Sequence, residues 1–385
     1  MKIALIHMRH AHTGGTERYL SQLARHLGEQ GHEPVVVCRS HEEPPHPAAR
    51  FHVLRDFAIG GSWRMWAFAR AVERHVAESD YDLVLGLGKT WTHDVVRLGG
   101  GLHGTYLELA HGDTLSRAER LVGKGRIKHR LALSIERRAL RAGAFQKVIT
   151  NAAMVKRDAI ARYGIPAAAI EVVHNGVDLE RFHPRLRKGV GAELRRSLGL
   201  EPSHLVVLFL GTGYGRKGLD LLQDAFAAFA GRRPEARLLI VGYDSARRAF
   251  EARGARLGIA EVSRYLGGRR DPEACFAAAD LYVLPTRYDP FANSTLEALA
   301  AGLPVITSDT NGACELIEPG VEGEVIPHGA GARALLEGIE RWSDPERLRE
   351  GSRAARALAE RHGIESKLQA TTRLLLEVAG QGAPH

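Results

Sequence analysis

The stretch Asp280–Ser308, DLYVLPTRYDPFANSTLEALAAGLPVITS, decides how the rest of the chain is read. Leu281–Leu284 is a short apolar strand stopped by Pro285. Asn293, Ser294 and Thr295 are residue types that cap helices, so a helix is expected over Leu296–Ala301, ended by Gly302. Pro304-Val305-Ile306 then opens a second strand. Strand, loop, helix and strand in that order form a unit of a parallel α/β sheet. Two carboxylates, Asp289 and Glu297, bracket the turn into the helix. A helix N-terminus presents unpaired N–H groups and partial positive charge, which suits a phosphate. A carboxylate one turn further in suits a sugar hydroxyl beside that phosphate.

The bulk numbers set the frame. A chain of 385 residues favours two domains. Its 44% hydrophobic and 25% charged residues fit a globular protein and exclude a disordered one. No apolar run approaches the roughly 20 residues that span a bilayer. The first strand, Ile3–Ile6, is too short and too early for a signal peptide. Cys38, Cys275 and Cys314 are scattered, which argues for a reducing, cytoplasmic setting without a disulfide framework or a zinc site. A net charge of +8 and a pI of about 9.5 point to an anionic partner.

The first half opens with a strand, Gly14-Gly15, a helix over Thr16–Gly28 and a strand over Glu33–Cys38. This is the start of a doubly wound sheet. The turn lacks GxGxxG, yet its glycines permit close approach of a ligand to backbone N–H groups. His41, His46 and His52 lack the frame of a metal site, so no metal is expected. Gly86-Leu-Gly88-Lys89-Thr90 imitates a P-loop, but Leu83 stands where that motif needs glycine. A glycine run, Gly99–Gly101, leads to His103, a candidate hydrogen-bonding or acid–base group.

Arg117–Arg141 carries nine Lys and Arg against two Glu, with apolar residues interleaved. Such a segment suits an anionic membrane surface, with Arg126, Lys128 and Arg130 as contacts. It has no aromatic residues to stack on bases, so no nucleic-acid partner is expected. Phe182–Gly189 reads as a linker, placing a domain boundary near residue 180.

The second half restarts the pattern. The strand Leu205–Leu210 runs into Gly211-Thr-Gly213-Tyr-Gly215-Arg216-Lys217-Gly218 and a helix over Leu219–Ala230. A glycine loop ending in two cations and a helix start is an anion cradle. Gly268 and Arg269 follow a later strand. The last helix, Ile364–Val378, is long enough to return to the first domain.

With Asn175-Gly-Val-Asp178, Gly215-Arg-Lys217 and the Asp289–Glu297 pair in view, the chain resembles glycosyltransferase family 4 over nearly its whole length. Within that family, GTGYGRKGLD and the basic stretch after His103 are most similar to the lipopolysaccharide-core glucosyltransferase I branch. The resemblance implies a GT-B fold, two Rossmann-like doubly wound domains facing a cleft. Residues 1–180 would bind the acceptor and 181–363 the nucleotide-sugar donor, with 364–385 packing back towards the first domain.

The resemblance also implies roles. Gly14 and Gly15 would sit at the donor phosphates and the acceptor. Arg216 and Lys217 would clamp the diphosphate beside Gly213, without a metal. Gly268 and Arg269 would meet the base, and Glu297 the ribose. The N–H groups around Asn293, Ser294, Thr295 and Leu296 would add diphosphate contacts. His103 would lie near the donor sugar, and Asp289 would hold a sugar hydroxyl. Asp289 stands where the family usually has Glu, Gly100 where relatives often carry Asp, and Asn151-Ala152 where Asn-Ser is usual.

The implied activity is a retaining transfer of a hexose from a nucleotide-diphosphate sugar, UDP-glucose by the resemblance. The implied acceptor is a glycan or lipid-linked molecule such as lipopolysaccharide core, met in the cytoplasm or at the inner membrane face. The rival readings are a sugar phosphorylase, a nucleotide-sugar epimerase, or a non-catalytic nucleotide-sugar- or RNA-binding protein.

Overall fold

The structure is a computed structural model and describes residues 1–10, 14–41, 49–55, 61–109 and 124–380. Side chains at 61, 62 and 124–126 lie outside that description. The chain divides into two compact units, Met1–His174 with the segment beginning at Glu365, and Asn175–Ile364. The division falls earlier than residue 180 because Asn175–Val177 are tied to the second unit. The Val177 N–H bonds the His362 carbonyl at 3.0 Å, and Asn175 Nδ2 donates to Asn293 Oδ1 at 2.6 Å.

In the first unit the order is β1 (Lys2–Ile6), α1 (Gly15–Glu29), β2 (Glu33–Cys38), β3 (Arg50–Val53), α2 (Gly61–Ala77), β4 (Leu83–Gly86) and β5 (Val95–Arg97). Then come α3 (His103–Leu109), α4 (Lys124–Ala139), β6 (Lys147–Thr150), α5 (Ala153–Tyr163) and β7 (Ile170–Val172). The sheet order is β3-β2-β1-β4-β5-β6-β7, with every pairing parallel. The central strands are near-continuous apolar runs because helices cover both faces; Ile3, Ala4, Leu5 and Ile6 are all buried. The last helix, α13 (Ile364–Gly380), packs here, its Thr371 hydroxyl accepting from Tyr19 of α1 at 3.0 Å.

The second unit runs α6 (Val190–Ser197), β8 (Leu205–Leu210), α7 (Leu219–Ala230), β9 (Ala236–Val241), α8 (Arg247–Arg256), β10 (Ser263–Gly267) and α9 (Pro272–Ala278). It continues with β11 (Leu281–Leu284), α10 (Asn293–Ala300), β12 (Val305–Ser308), β13 (Gly323–Ile326), α11 (Gly331–Trp342) and α12 (Pro345–Glu360). Its sheet order is β10-β9-β8-β11-β12-β13, again all parallel. Two doubly wound sheets are what the sequence pattern predicts.

Within the stretch read as a linker, Pro184–Lys188 forms a short 3-10 turn, and a helix follows directly. Residues 190–197 form helix α6, whose Leu194 and Arg195 are buried, and its Gly191 lies against the backbone of Ala277 in α9. The helix expected over Leu296–Ala301 starts earlier, at Asn293, with Ala292 as its N-cap and no side-chain cap.

Each sheet has a switch point, where the strand order reverses and a crevice opens at the carboxyl ends. In the first unit it lies between β1 and β4, in the second between β8 and β11.

Candidate functional site

The second unit's switch point gathers most of the predicted residues. The loop after β8 carries Gly213, Arg216 and Lys217, and the loop after β11 carries Asp289. Asp289 Oδ2 accepts from Lys217 Nζ at 2.6 Å and from Arg216 Nη1 at 3.0 Å. Its Oδ1 accepts the Phe291 N–H at 3.1 Å. Arg216 Nη1 also donates to the Tyr288 carbonyl at 2.9 Å. Burial alone would raise the Asp289 carboxyl, but Lys217 and Arg216 outweigh it and hold the group below the usual carboxylate range. Burial in turn pulls the Lys217 ammonium down against the attraction of Asp289. The two cations thus stand ready for an anion and are balanced by one carboxylate meanwhile.

The loop's shape depends on Gly218. It sits at φ 77° as the N-cap of α7, and a Cβ there would strike the Pro285 carbonyl. Only glycine takes that conformation against a neighbouring backbone so cheaply.

Beside the clamp, α10 opens at Asn293. The residues read as caps spend their side chains elsewhere. Ser294 Oγ accepts from Tyr282 at 2.7 Å, Thr295 Oγ1 from Asn311 at 2.9 Å, and Asn293 from Asn175. No side chain caps the first turn, an arrangement suited to an anion, although the Thr295 N–H already bonds the Ala292 carbonyl at 3.0 Å. Glu297 is buried one turn in, close enough to Lys217 for their charges to interact. At the far side, Arg269 pairs with Asp271, Nη2 to Oδ2 at 2.6 Å, and Gly268 has open space where a Cβ would stand.

Three supporting residues escaped the sequence reading. Arg287 donates to both Asp220 oxygens, at 2.9 and 2.7 Å, and to the Gly215 carbonyl. Its own N–H bonds the Arg216 carbonyl at 2.8 Å. It thereby fixes the loop on both sides of Arg216 and Lys217. Asn311 is fully buried and satisfied. Its Oδ1 accepts the Ala292 and Ala313 N–H groups at 3.0 and 3.2 Å, and its Nδ2 donates to Thr295 and Thr307, both at 2.9 Å. Asp244 accepts the Tyr214 N–H at 2.5 Å from the other end of the glycine loop. An arginine beside an aspartate in a loop carries no motif, so spacing alone gives no signal for them.

His103, Gly14 and Gly15 belong to the first unit. His103 begins α3, and its Nε2 lies 3.0 Å from His129 Nδ1 of α4. Its N–H donates to Glu136 at 2.6 Å, and Glu136 also accepts from the Tyr163 hydroxyl at 2.6 Å. Burial pushes the Glu136 carboxyl up. Gly15 starts α1, and Gly14, at φ 124°, has the Glu17 carboxylate folded over it. The anion position expected at this turn is therefore filled by the chain's own carboxylate.

Of the basic segment, Lys128 and Arg130 are exposed on α4. Arg117 and Arg120 lie outside the described residues, and so does the side chain of Arg126. Among the described residues no helix is long and apolar enough to cross a membrane, and no group of three His, Cys, Asp or Glu could hold a metal ion.

The chain matches the family "Glycosyltransferase Family 4" over residues 13–181 and "Glycosyl transferases group 1" over residues 191–357. A D-inositol 3-phosphate glycosyltransferase of Thermobispora bispora is 30% identical over 406 residues, 95% of this chain and 89% of that protein. The protein of the same name from Segniliparus rotundus is 30% identical over 264 residues, 67% of this chain. The chain spans 55% of that relative, and a similar share of the other first curated relatives it matches. Among solved structures, WaaG, described as a glycosyltransferase involved in lipopolysaccharide biosynthesis, superposes with a TM-score of 0.83 at 22% identity, covering 97% of this chain and 99% of that one. The two-domain α/β architecture is the GT-B fold. The chain belongs to the group 1, family 4 glycosyltransferases.

Proposed function

We propose that this protein is a retaining hexosyltransferase that moves a sugar from a nucleotide-diphosphate donor, UDP-glucose, to a glycan or lipid-linked acceptor such as lipopolysaccharide core. The observation that carries this reading is the Arg216–Lys217–Asp289 cluster at a switch point, beside an uncapped helix start with Glu297 one turn in. Breaking a sugar–diphosphate bond leaves an oxocarbenium-like sugar and extra negative charge on the diphosphate. Donors fixed on that diphosphate stabilise the transition state more than the ground state. Arg216, Lys217 and the N–H groups at the start of α10, at Asn293 and Ser294, are such donors. They neutralise the leaving group without a metal. Gly213, Gly268 and Arg269 border the nucleotide, Glu297 holds its ribose, and Asp289 takes a hydroxyl of the sugar.

In this reading residues of the first unit, His103 among them, serve the acceptor and the donor sugar. The leaving phosphate helps deprotonate the acceptor, so no separate base is required. Lys128 and Arg130, with Arg126, bring the enzyme to the cytoplasmic face of an anionic membrane. Flotation with anionic vesicles tests that contact, and neutralising the three cations should abolish it.

The test of the activity is donor-dependent release of nucleoside diphosphate across a panel of nucleotide sugars, with and without acceptor. Lys217→Ala should lower turnover roughly 10²–10³-fold, the usual loss when one transition-state donor is removed, with an unchanged circular dichroism spectrum. Near-normal turnover in that variant sinks the clamp.

A further inference from the structure

The carboxyl edge of the second sheet carries an aromatic ring that has no partner among the described residues. In strand order this edge presents Gly268 and Arg269 after β10, Tyr243 after β9, the glycine loop after β8 and Asp289 after β11. Tyr243 therefore stands between the loop that carries Arg216 and Lys217 and the residues that follow β10, one strand spacing, roughly 5 Å, from each. It is 69% exposed, the most of any large hydrophobic residue among those described. Every other Phe, Trp or Tyr of the second unit is at least partly buried. Its side chain makes no hydrogen bond and no ring contact with the described residues.

The backbone beneath this free ring is held on both sides. The Tyr243 carbonyl accepts the Gly213 N–H at 3.1 Å, and the Gly242 N–H donates to the Gly267 carbonyl at 2.8 Å. Asp244 accepts the N–H groups of Tyr214 at 2.5 Å and Ala246 at 2.6 Å. Gly242, at φ 127°, runs so close to the Gly211 carbonyl that a Cβ would strike it. A ring on a backbone already fixed in this way loses little freedom when a ligand covers it.

The space beside the ring is open. A Cβ at Gly213 or at Gly268 would meet nothing within 4 Å. Bare glycine backbone on both sides of an aromatic ring leaves a shelf for a flat ligand. The nearest cation after β10 is spent, because Asp271 takes the fork of Arg269, Nε to Oδ1 at 3.0 Å and Nη2 to Oδ2 at 2.6 Å. What the shelf offers is a π-face and backbone groups, which suits a heteroaromatic ring and not a second anion. In the other direction the edge is filled by the loop after β12. The Asp289 N–H bonds the Thr310 carbonyl at 3.0 Å, and the Gly312 N–H bonds the Asp289 carbonyl at 2.9 Å. A diphosphate on Arg216 and Lys217 thus finds open room for its organic group on the Tyr243 side.

We propose that Tyr243 is the platform on which the nucleobase of the donor stacks, reading the face of the base and not its edge. The inference rests on the reading of Arg216 and Lys217 as a diphosphate clamp. Every base has a π-face, so purine and pyrimidine nucleoside diphosphates gain alike from the contact.

The test titrates inorganic pyrophosphate, UDP and ADP calorimetrically into the full chain and two variants. Tyr243→Ala should weaken UDP and ADP about tenfold each. Pyrophosphate, which carries no base, should bind that variant as it binds the native protein. Tyr243→Phe keeps the ring and should retain the native affinities. The proposal is overturned if Tyr243→Ala binds both nucleotides as the native protein does, or if the native protein binds pyrophosphate as tightly as UDP. It is overturned equally if Tyr243→Ala loses pyrophosphate to the same extent as UDP, since the change would then act through the Gly213 loop. A native preference of more than a hundredfold between UDP and ADP refutes recognition by the face of the base. A native protein that binds none of the three ligands strikes the diphosphate clamp itself, and the glycosyl-transfer reading with it.

Discussion

Replacing Asp289 with asparagine should move stability and nucleotide affinity in opposite directions. In the donor-free protein Asp289 balances Lys217 at 2.6 Å and Arg216 at 3.0 Å. The Lys217 side chain is 8% exposed, so its charge has little water to fall back on, whereas Arg216 is 29% exposed. Breaking a buried pair by removing one partner costs about 3–5 kcal/mol. Asparagine still offers an oxygen to the Phe291 N–H, so the low end, about 3 kcal/mol, is expected. In a unit of this size that is a fall in Tm of roughly 6–12 °C.

The same change leaves two cations with no carboxylate between them. A diphosphate about 5 Å from the former charge feels roughly 3 kcal/mol less repulsion at an effective dielectric of 20. Solvent screening reduces this to about 1–2 kcal/mol, so UDP should bind roughly tenfold tighter. Calorimetric titration of UDP and thermal scans with and without it measure both effects. UDP should raise the Tm of Asp289→Asn more than that of the native protein, while turnover falls. A folded Asp289→Asn that binds UDP no tighter than the native protein refutes the view that Asp289 balances the clamp.

Other variants separate the supporting parts of the site. Arg287→Met should weaken UDP binding about tenfold and cost about 2 kcal/mol, the worth of its charged hydrogen bonds after discounting for partial exposure; equal affinities by titration would show that the loop holds its shape unaided. Burial alone would raise the Asp220 carboxyl, but Arg287 holds it below its ordinary value. Its stabilisation is therefore complete above about pH 4 and lost as pH falls through the lowered value, so the stability gap between native and Arg287→Met should narrow in acid melts. Asn311→Ala orphans two buried backbone N–H groups and should cost about 3 kcal/mol, read by urea denaturation; a loss under 1 kcal/mol would mean that water replaces the amide. Asp289→Glu lengthens the side chain by one methylene and should change the ranking of donor sugars in a hydrolysis screen more than it changes UDP affinity.

The donor-side cluster was legible in the sequence because it is built from local signals. A glycine loop between a buried strand and a helix, ending in Arg216-Lys217, says anion without reference to the fold. The start of α10 was misread for the opposite reason. Asn293, Ser294 and Thr295 are cap residues by type, but Tyr282 and Asn311, brought in by the sheet, claim the hydroxyls of Ser294 and Thr295. With those oxygens spent, the helix extends back to Asn293. Arg287 and Asp220 lie far apart in sequence and meet only because β8 and β11 are neighbours. Tyr243 gave no signal in the sequence. What singles it out is a fixed backbone under an exposed ring, and neither can be read from residue type.

The two switch points differ in how they are charged before any ligand arrives. In the second unit both cations already share a carboxylate, so a diphosphate exchanges one anionic partner for another. Exchange of this kind favours a ligand whose charge grows during reaction, because Asp289 is a poorer match than a leaving diphosphate for two donors. In the first unit Glu17 lies against His7, and Lys89 has no hydrogen-bond or ion-pair partner among the described residues. The Coulomb term that a diphosphate gains at Lys217 rises as the sugar–phosphate bond breaks and raises kcat. Lys217→Ala should therefore lower kcat far more than it raises the KM for donor, read by steady-state kinetics across donor concentrations.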